Sequence, residues 1–304
     1  MSKNHNHTHH HPTLSGKNLL ISIILNIVIT IAQIIGGFLS GSLALISDAV
    51  HNFSDVISLI ISYIANILTN SKKQTKQYTF GYKRAEIIAA FINAASLIVV
   101  AIFLGIEAIK RFSNPQTINS NLVIWMAILG ILANGFSVIL LKKDANHNLN
   151  MKSAYLHLLA DMLTSVAVLI GGLLMKYYQI YWVDAILTLV ISVYLIYMSW
   201  SILIDSTKVL MLFAPKHINI DEVVCEVLKV EEIKNIHHVH IWQLNDHDCH
   251  FEAHLQFNKD IKLSQFDLVC EKVEKILLEK FHINHSNLQP EINRDDLKEL
   301  IKQD

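Results

Sequence analysis

Two stretches of the sequence repeat the same pair of residues at the same spacing, a histidine followed four positions later by an aspartate. The pairs are His51 with Asp55 and His157 with Asp161. An α-helix turns by about 400° and rises about 6 Å in four residues, so both members of a pair lie on one face. Two such helices side by side would offer two imidazole nitrogens and two carboxylate oxygens, a donor set suited to tetrahedral Zn²⁺.

This donor set contains no thiolate. Soft ions such as Cu(I) and Cd²⁺ are therefore less favoured than Zn²⁺, and we expect the ion to leave more readily than it leaves a structural zinc site. Ready release is what a carrier of metal ions requires. The alternative is that each pair only forms a hydrogen bond that orients neighbouring helices. Two copies, in separate segments with few other charges, favour metal binding.

The two pairs lie in very apolar surroundings. Of the 304 residues, 52% are hydrophobic and 17% are charged, whereas soluble domains carry about 25% charged residues. This composition excludes an intrinsically disordered chain. Six segments reach the roughly 20 apolar residues that span a bilayer, and they cover 18–40, 43–69, 86–110, 119–141, 153–175 and 181–205. The pairs fall in the second and fifth segments, where a charge costs about 2.5–3.5 kcal/mol and so requires a reason.

Lysine and arginine residues flank these segments unevenly. Most of them precede the first segment or lie between the second and third and between the fourth and fifth. Because positive residues stay on the cytoplasmic side, we predict a multi-pass protein of the cell (inner) membrane with both termini in the cytoplasm. The cysteines Cys225, Cys249 and Cys270 follow the last segment, and in this reducing location we expect free thiols.

After position 207 the pattern becomes that of a soluble, acidic domain, which gives no support to a nucleic-acid partner. Hydrophobic periodicity predicts elements in the order α-β-β-α-β, over 221–230, 235–244, 249–257, 263–281 and 285–292. This order predicts a small α+β domain with helices on one face of a mainly antiparallel sheet. We therefore divide the chain into a His-rich cytoplasmic tail (1–17), a six-helix transmembrane transport domain (18–207) and a cytoplasmic metal-binding regulatory domain (208–304).

Four segments together resemble the zinc-transporting branch of the cation diffusion facilitator family, namely Ser40–Asp55, Tyr78–Glu86, Tyr155–Asp161 and His238–Trp242. The resemblance implies a homodimer in the lipid bilayer, with six transmembrane helices and a cytoplasmic ferredoxin-like domain in each subunit. It implies export of Zn²⁺ from the cytoplasm in exchange for protons, with a transport site formed by His51, Asp55, His157 and Asp161. Zn²⁺ would be substrate and regulatory ion, with no other cofactor and no enzymatic reaction.

Histidines are also frequent at both ends of the chain. The resemblance places cytoplasmic metal sites at His237, at His254 and in the segment from His285 to Glu291, and which residue of that segment binds metal stays open. Zinc there would clamp two cytoplasmic domains together, although any single histidine could equally be a solvated surface residue. The run His5–His11 either captures ions weakly or is a disordered tail or tag remnant.

Three further polar residues of the apolar segments do not belong to either histidine–aspartate pair. Asp48 is not on the face of His51, so it either forms a hydrogen bond behind the ligands or caps the second helix. Asp184 lies near the start of the sixth segment, where a structural role is expected. Gln33 stands where many members of the resembled family carry glutamate.

Two other classes of function compete with transport. A di-iron hydroxylase or desaturase in the membrane also uses histidine clusters, but it needs many histidines converging at one cytoplasmic face. A zinc-sensing membrane receptor would bind the same ion without moving it. The His–Asp pairs at membrane depth favour a transporter over the metalloenzyme, whereas an uptake assay in vesicles is needed to separate a transporter from a receptor.

Overall fold

The computed structural model describes residues 17–71, 76, 78–142, 149–245, 248–292, 294 and 299–301. Six long helices come first, and a short helix, two strands, a helix and a last strand follow. The elements are α1 (Lys17–Ser40), α2 (Leu43–Ser71), α3 (Ala85–Ser113), α4 (Ser120–Leu141), α5 (Leu149–Tyr178), α6 (Trp182–Leu210), α7 (Ile220–Val227), β1 (Ile233–Gln243), β2 (Cys249–Phe257), α8 (Leu263–Phe281) and β3 (His285–Glu291). The predicted order of elements is confirmed.

The first six helices form the membrane domain. Among the described residues, α1, α3, α4, α5 and α6 are long and apolar enough to cross a bilayer. Helix α2 has 29 residues and carries the first histidine–aspartate pair in its first half. Large apolar side chains such as Phe103 and Ile139 are exposed on the outer faces of the helices. Such exposure is expected of a surface that contacts lipid rather than water.

Among the described residues, one compact unit contains those from 17 to 60 and those from 93 to 200, and within it α4 packs against both α1 and α5. Small residues allow this close packing. A β-carbon added at Gly36 of α1 would come within 2.5 Å of the Met126 side chain on α4. Close approach at small residues is the usual basis of helix association in membranes, where no hydrophobic force drives helices together.

The N-terminus of α2 is held by a carboxylate from α6. Asp184 is buried and accepts hydrogen bonds from the Ser42 hydroxyl, from the Leu43 amide at 2.8 Å and from the Ala44 amide at 3.3 Å. The first amides of a helix lack partners within the helix, so a carboxylate at this position satisfies them and interacts favourably with the helix dipole. Asp184 therefore has the structural role that its position predicts.

The second compact unit contains the described residues between 61 and 92 and those between 201 and 301. Its sheet has the order β1-β2-β3, with β1 and β2 antiparallel and β2 and β3 parallel. The expectation of a mainly antiparallel sheet is therefore wrong for the second pair. Parallel neighbours need a crossover connection, and α8 provides it between β2 and β3. Apolar residues of α7 and α8 cover the sheet, with a core that includes Val223, Phe251, Leu255 and Val273.

The connection that precedes α3 is also part of the second unit. A turn at residues 78–84 has Gly81 at a φ of 64°, a conformation that suits glycine. Lys83 forms an ion pair of 3.0 Å with Asp248, which lies just before β2. The ring of Phe80 meets the ring of His250 edge to face, with centroids 5.9 Å apart. These contacts attach the α2–α3 connection to the sheet domain.

Candidate metal centre

The structure brings the two histidine–aspartate pairs together. Helix α2 contributes His51 and Asp55, helix α5 contributes His157 and Asp161, and one donor atom of each residue lies within 4.8 Å of the others. The Nε2 atom of His157 lies 3.1 Å from Asp55 Oδ2 and 3.6 Å from Asp161 Oδ2. The Nε2 atom of His51 lies 3.7 Å from Asp55 Oδ2 and 3.5 Å from Asp161 Oδ1. Each histidine therefore faces both carboxylates.

These separations match the size of a zinc site. Zinc bonds to nitrogen and oxygen of about 2.0–2.1 Å, arranged tetrahedrally, place neighbouring donor atoms about 3.3 Å apart. The histidine–aspartate distances in this group run from 3.1 to 3.7 Å, with His51 facing Oδ1 and His157 facing Oδ2 of Asp161. A tetrahedral ion would fit between these side chains with small adjustments. We call these four residues the four-ligand group.

Burial of the group differs from one residue to the next. The Asp161 side chain is 1% exposed, and neither of its carboxylate oxygens accepts a hydrogen bond from any described residue. Buried carboxylate oxygens without donors are costly, unless a cation compensates them. The His157 side chain is 41% exposed, so the group opens on that side. The chemistry of the group thus suits a cation, with Asp161 on its buried side and His157 on its exposed side.

Buried polar residues surround the four-ligand group. Asp48 accepts hydrogen bonds from Gln33 Nε2 at 2.8 Å and from Thr164 Oγ1 at 2.7 Å. Gln33 Oε1 accepts a hydrogen bond of 2.9 Å from Asn52 Nδ2. Of the two roles considered for Asp48, the structure shows the hydrogen bond behind the ligands, while Asp184 caps α2. The part played by Thr164 was not anticipated, although a hydroxyl three positions after a ligand is a signal visible in the sequence.

A second possible metal group lies on the three-stranded sheet. His237 on β1 and His254 on β2 are direct cross-strand partners, and Glu291 at the end of β3 lies beside both. Glu291 Oε2 is 3.1 Å from His237 Nε2, and Glu291 Oε1 is 2.9 Å from His254 Nδ1. All three side chains are largely buried. Within the last strand, Glu291 is therefore the residue that joins the two histidines.

His285 is not part of this group. Its ring packs against the ring of His250, with centroids 4.5 Å apart, at the other end of β3. Seven residues separate the first and last positions of a strand by about 20 Å, so one ion cannot bind both ends. Burial, together with the nearby His285, lowers the pKa of His250.

A bulge in β1 changes the orientation expected for its histidines. Alternation along a strand predicts that His237 and His238 point to opposite faces. The register shifts between His237 and His240, and His238 adopts a φ of 52°. The rings of both His237 and His238 therefore lie next to His254, with centroids 5.4 Å and 4.5 Å away.

The three cysteines are free thiols, as expected. Cys249 is buried at the start of β2, and burial raises the pKa of its thiol to about 11. Cys249 does not belong to either metal group found among the described residues. The N-terminal run His5–His11 lies outside the described residues.

Comparison with known families agrees with this architecture. Residues 19–211 match the family described as the cation efflux transmembrane domain. Residues 215–292 match the family described as the cation efflux protein, cytoplasmic domain. The chain belongs to the cation efflux family, the cation diffusion facilitators.

Three relatives illustrate the range of this family. The cadmium, cobalt and zinc/H⁺-K⁺ antiporter of Bacillus subtilis (strain 168) is 34% identical over 284 residues, which cover 93% of this chain and 91% of the relative. The metal cation efflux system protein CzcD of Cupriavidus metallidurans is 33% identical, with coverages of 94% and 90%. The zinc transporter ZitB of Escherichia coli (strain K12) is 31% identical, with coverages of 96% and 93%.

Family membership fixes the general activity. As a member of the cation efflux family, the chain is a multi-pass membrane protein that transports cations. The names of the three relatives describe an antiporter, an efflux protein and a transporter. The cytoplasmic sheet domain is the second characteristic part of the family, and it carries the group of His237, His254 and Glu291.

Proposed function

We propose that this cation efflux protein exports Zn²⁺ from the cytoplasm in exchange for protons, and that the four-ligand group is the transport site. The observation that carries the proposal is the arrangement of two imidazole nitrogens and two carboxylates within 4.8 Å of one another on two membrane helices. The buried Asp161 carboxylate, which has no hydrogen-bond donor among the described residues, adds support.

The donor types support zinc as the main substrate. Imidazole suits zinc, whereas carboxylates and water suit magnesium, calcium and manganese. A site with two of each, and without a thiolate, binds zinc well enough to select it and weakly enough to release it. Zinc is named for two of the relatives described above, the antiporter of Bacillus subtilis and the transporter ZitB of Escherichia coli, and this agrees with zinc as a substrate.

Protons and zinc compete for the same nitrogen lone pairs. A histidine must be neutral to bind zinc, so protonation of His51 and His157 expels the ion. A site open to a near-neutral cytoplasm binds Zn²⁺, and a site open to a more acidic exterior exchanges it for protons. Alternation between these two states couples zinc export to proton entry into the cell.

We place the protein in the cell (inner) membrane with both termini in the cytoplasm. The uneven distribution of lysine and arginine around the apolar segments supports this orientation. The chain divides at about position 207 into the transport domain and a regulatory domain, after a His-rich tail of 17 residues. In this orientation the sheet domain samples the cytoplasmic zinc concentration.

The second metal group is proposed as a regulatory zinc site. His237, His254 and Glu291 supply three ligands, which leaves one position of a tetrahedral ion for water or another group. Zinc bound there would stabilise the contact between the cytoplasmic domains of a homodimer when cytoplasmic zinc is high. The match to the family's cytoplasmic domain supports this proposal. The proposed regulatory site does not contain His285, because its ring packs on His250 at the other end of β3.

Transport in sealed vesicles tests the proposal. The purified protein is reconstituted into liposomes that contain a zinc-sensitive and a pH-sensitive dye, and zinc is added outside. We expect zinc uptake accompanied by proton release from the lumen, and loss of both in Asp161→Ala. Zinc uptake without proton movement would overturn the exchange. Zinc binding without uptake would support a receptor, and iron content with an oxygen-dependent product would support a metalloenzyme.

A further inference from the structure

Asp48 is the most deeply buried acidic residue of α2 and lies outside the four-ligand group. Its side chain is 1% exposed, and it accepts hydrogen bonds from Gln33 Nε2 at 2.8 Å and Thr164 Oγ1 at 2.7 Å. An ionisable residue inside a membrane helix is costly and is retained for a purpose. Asp48 does not belong to the four-ligand group. Its role therefore depends on the residues that donate hydrogen bonds to it.

On α5, Asp48 holds the turn that follows Asp161. The hydroxyl of Thr164 lies 2.7 Å from Asp48 Oδ1 and 2.8 Å from the main-chain oxygen of Asp161. The hydroxyl of Ser165 lies 3.5 Å from Asp48 Oδ2. No described residue donates a hydrogen bond to the Asp161 carboxylate. Apart from the two histidine rings that face it at 3.5 and 3.6 Å, the position of this ligand depends on its helix turn, and that turn is attached to Asp48.

On α1 and α2, hydrogen bonds connect Asp48 through Gln33 to Asn52, the residue that follows His51. Gln33 donates to Asp48 through Nε2 and accepts from Asn52 through Oε1 at 2.9 Å. Gly130 of α4 leaves the space for this arrangement. A β-carbon added at Gly130 would lie 2.7 Å from Ser165 Oγ and 3.0 Å from Gln33 Nε2. Side chains of α1, α2 and α5 thus meet at Asp48. Helix α4 packs beside them without a clash because Gly130 has no side chain.

We propose that Asp48 is a positioning residue for cation transport, because it fixes Asp161 through Thr164 and flanks His51 through Gln33 and Asn52. The inference rests on the proposed transport site. Partners behind metal ligands fix the geometry of the ligands, and their loss typically weakens metal affinity or activity by about 10–100-fold. In this protein Asp48 contacts the helix turn that follows Asp161, through Thr164, and does not contact the Asp161 carboxylate itself.

Thr164→Val tests the proposal, because valine removes the hydroxyl and keeps the shape of the side chain. We expect the KM for zinc uptake by liposomes to rise about tenfold or more, while Thr164→Ser, which keeps the hydroxyl, restores it. Thr188→Val is the matched control. The buried hydroxyl of Thr188 on α6 donates to the Asp184 main-chain oxygen at 2.7 Å, so the same bond is lost at a site with no contact to Asp48 among the described residues.

Two further variants test the proposal without depending on Thr164→Val alone. Gly130→Ala intrudes on Ser165 and Gln33 without removing a polar group, and we expect it also to raise the KM for zinc. Asp48→Asn combined with Thr164→Val should cost less than the sum of the two single changes, because both act through one contact. Equal KM values for Thr164→Val and Thr188→Val, with unchanged Gly130→Ala, would overturn the proposal. If Asp161→Ala also leaves uptake unchanged, the proposed transport site itself is wrong.

Discussion

The Nε2 atom of His157 lies 3.1 Å from a carboxylate oxygen of Asp55, although the two residues are 102 positions apart in the chain. This contact joins the second and fifth helices at the four-ligand group. Each helix brings one imidazole and one carboxylate, so neither helix can complete a tetrahedral site alone. We therefore expect the separation of α2 and α5 to control whether a metal ion is held.

The identity of the donor at position 51 should set ion selectivity. His51→Asp changes the set to one imidazole and three carboxylates, which favours harder ions. We expect zinc uptake with a KM about tenfold higher and a smaller preference for Zn²⁺ over Mn²⁺. Uptake by liposomes of Zn²⁺, Co²⁺, Cd²⁺ and Mn²⁺ provides the measurement. His217→Asp, at an exposed position after α6, is the control, and an identical selectivity in both variants would contradict the prediction.

Asp184 should contribute to stability. Asp184→Ala removes the acceptor for the Ser42 hydroxyl and for the Leu43 and Ala44 amides, and buried donors without a partner cost about 1–3 kcal/mol. We expect a lower midpoint of thermal unfolding in detergent. Asp205→Ala serves as the control, because Asp205 pairs with Lys216 at an exposed site. Equal midpoints for the two variants would show that the α2 cap is unimportant.

Glu291 should determine zinc binding to the cytoplasmic domain. Glu291→Gln keeps the size of the side chain but removes the charge that faces His237 and His254. We expect the stimulation of transport by cytoplasmic zinc to be lost at concentrations that activate the unchanged protein. Glu279→Gln, on the exposed surface of α8, should behave as the unchanged protein. Full stimulation in Glu291→Gln would contradict the regulatory role.

The thiols should differ in reactivity. Burial raises the pKa of Cys249 to about 11, and burial with nearby acidic residues does the same for Cys270. A raised pKa leaves the thiol protonated, so both should react slowly with maleimide at pH 7 and faster as the pH rises toward 11. Cys225 is exposed on α7 and should be labelled first. Mass spectrometry of peptides after timed labelling would reveal a contrary order.

Periodicity and residue spacing were sufficient for most of the fold. Among the described residues, five of the six predicted apolar segments lie in helices long and apolar enough to cross a bilayer, and the α-β-β-α-β order is confirmed, because both depend on local pattern and chain length. The parallel pairing of β2 with β3 was not predicted, since it depends on how α8 crosses the sheet. The bulge at His238 was also unpredictable, because a positive φ at a histidine has no signature in the sequence.

The candidate sites were predictable to different degrees. Four-residue spacing places His51 and Asp55 on one helix face, and few other charges compete with them inside the membrane. Strand positions alone could not select Glu291 over His285, because the choice depends on which end of β3 lies beside His254. Contacts between helices, such as that of Asp48 with Thr164, depend on packing that local periodicity does not encode.

X-ray absorption at the zinc edge tests the central claim most directly. The protein with His237→Ala, His254→Ala and a deletion of the N-terminal histidine run would be loaded with one equivalent of Zn²⁺. We predict four nitrogen or oxygen ligands at about 2.0–2.1 Å, with the multiple scattering of two imidazoles and no sulfur, and loss of this spectrum when His51 and His157 are changed to alanine. A spectrum that contains sulfur, or one that is unchanged without His51 and His157, would contradict the assignment of the transport site.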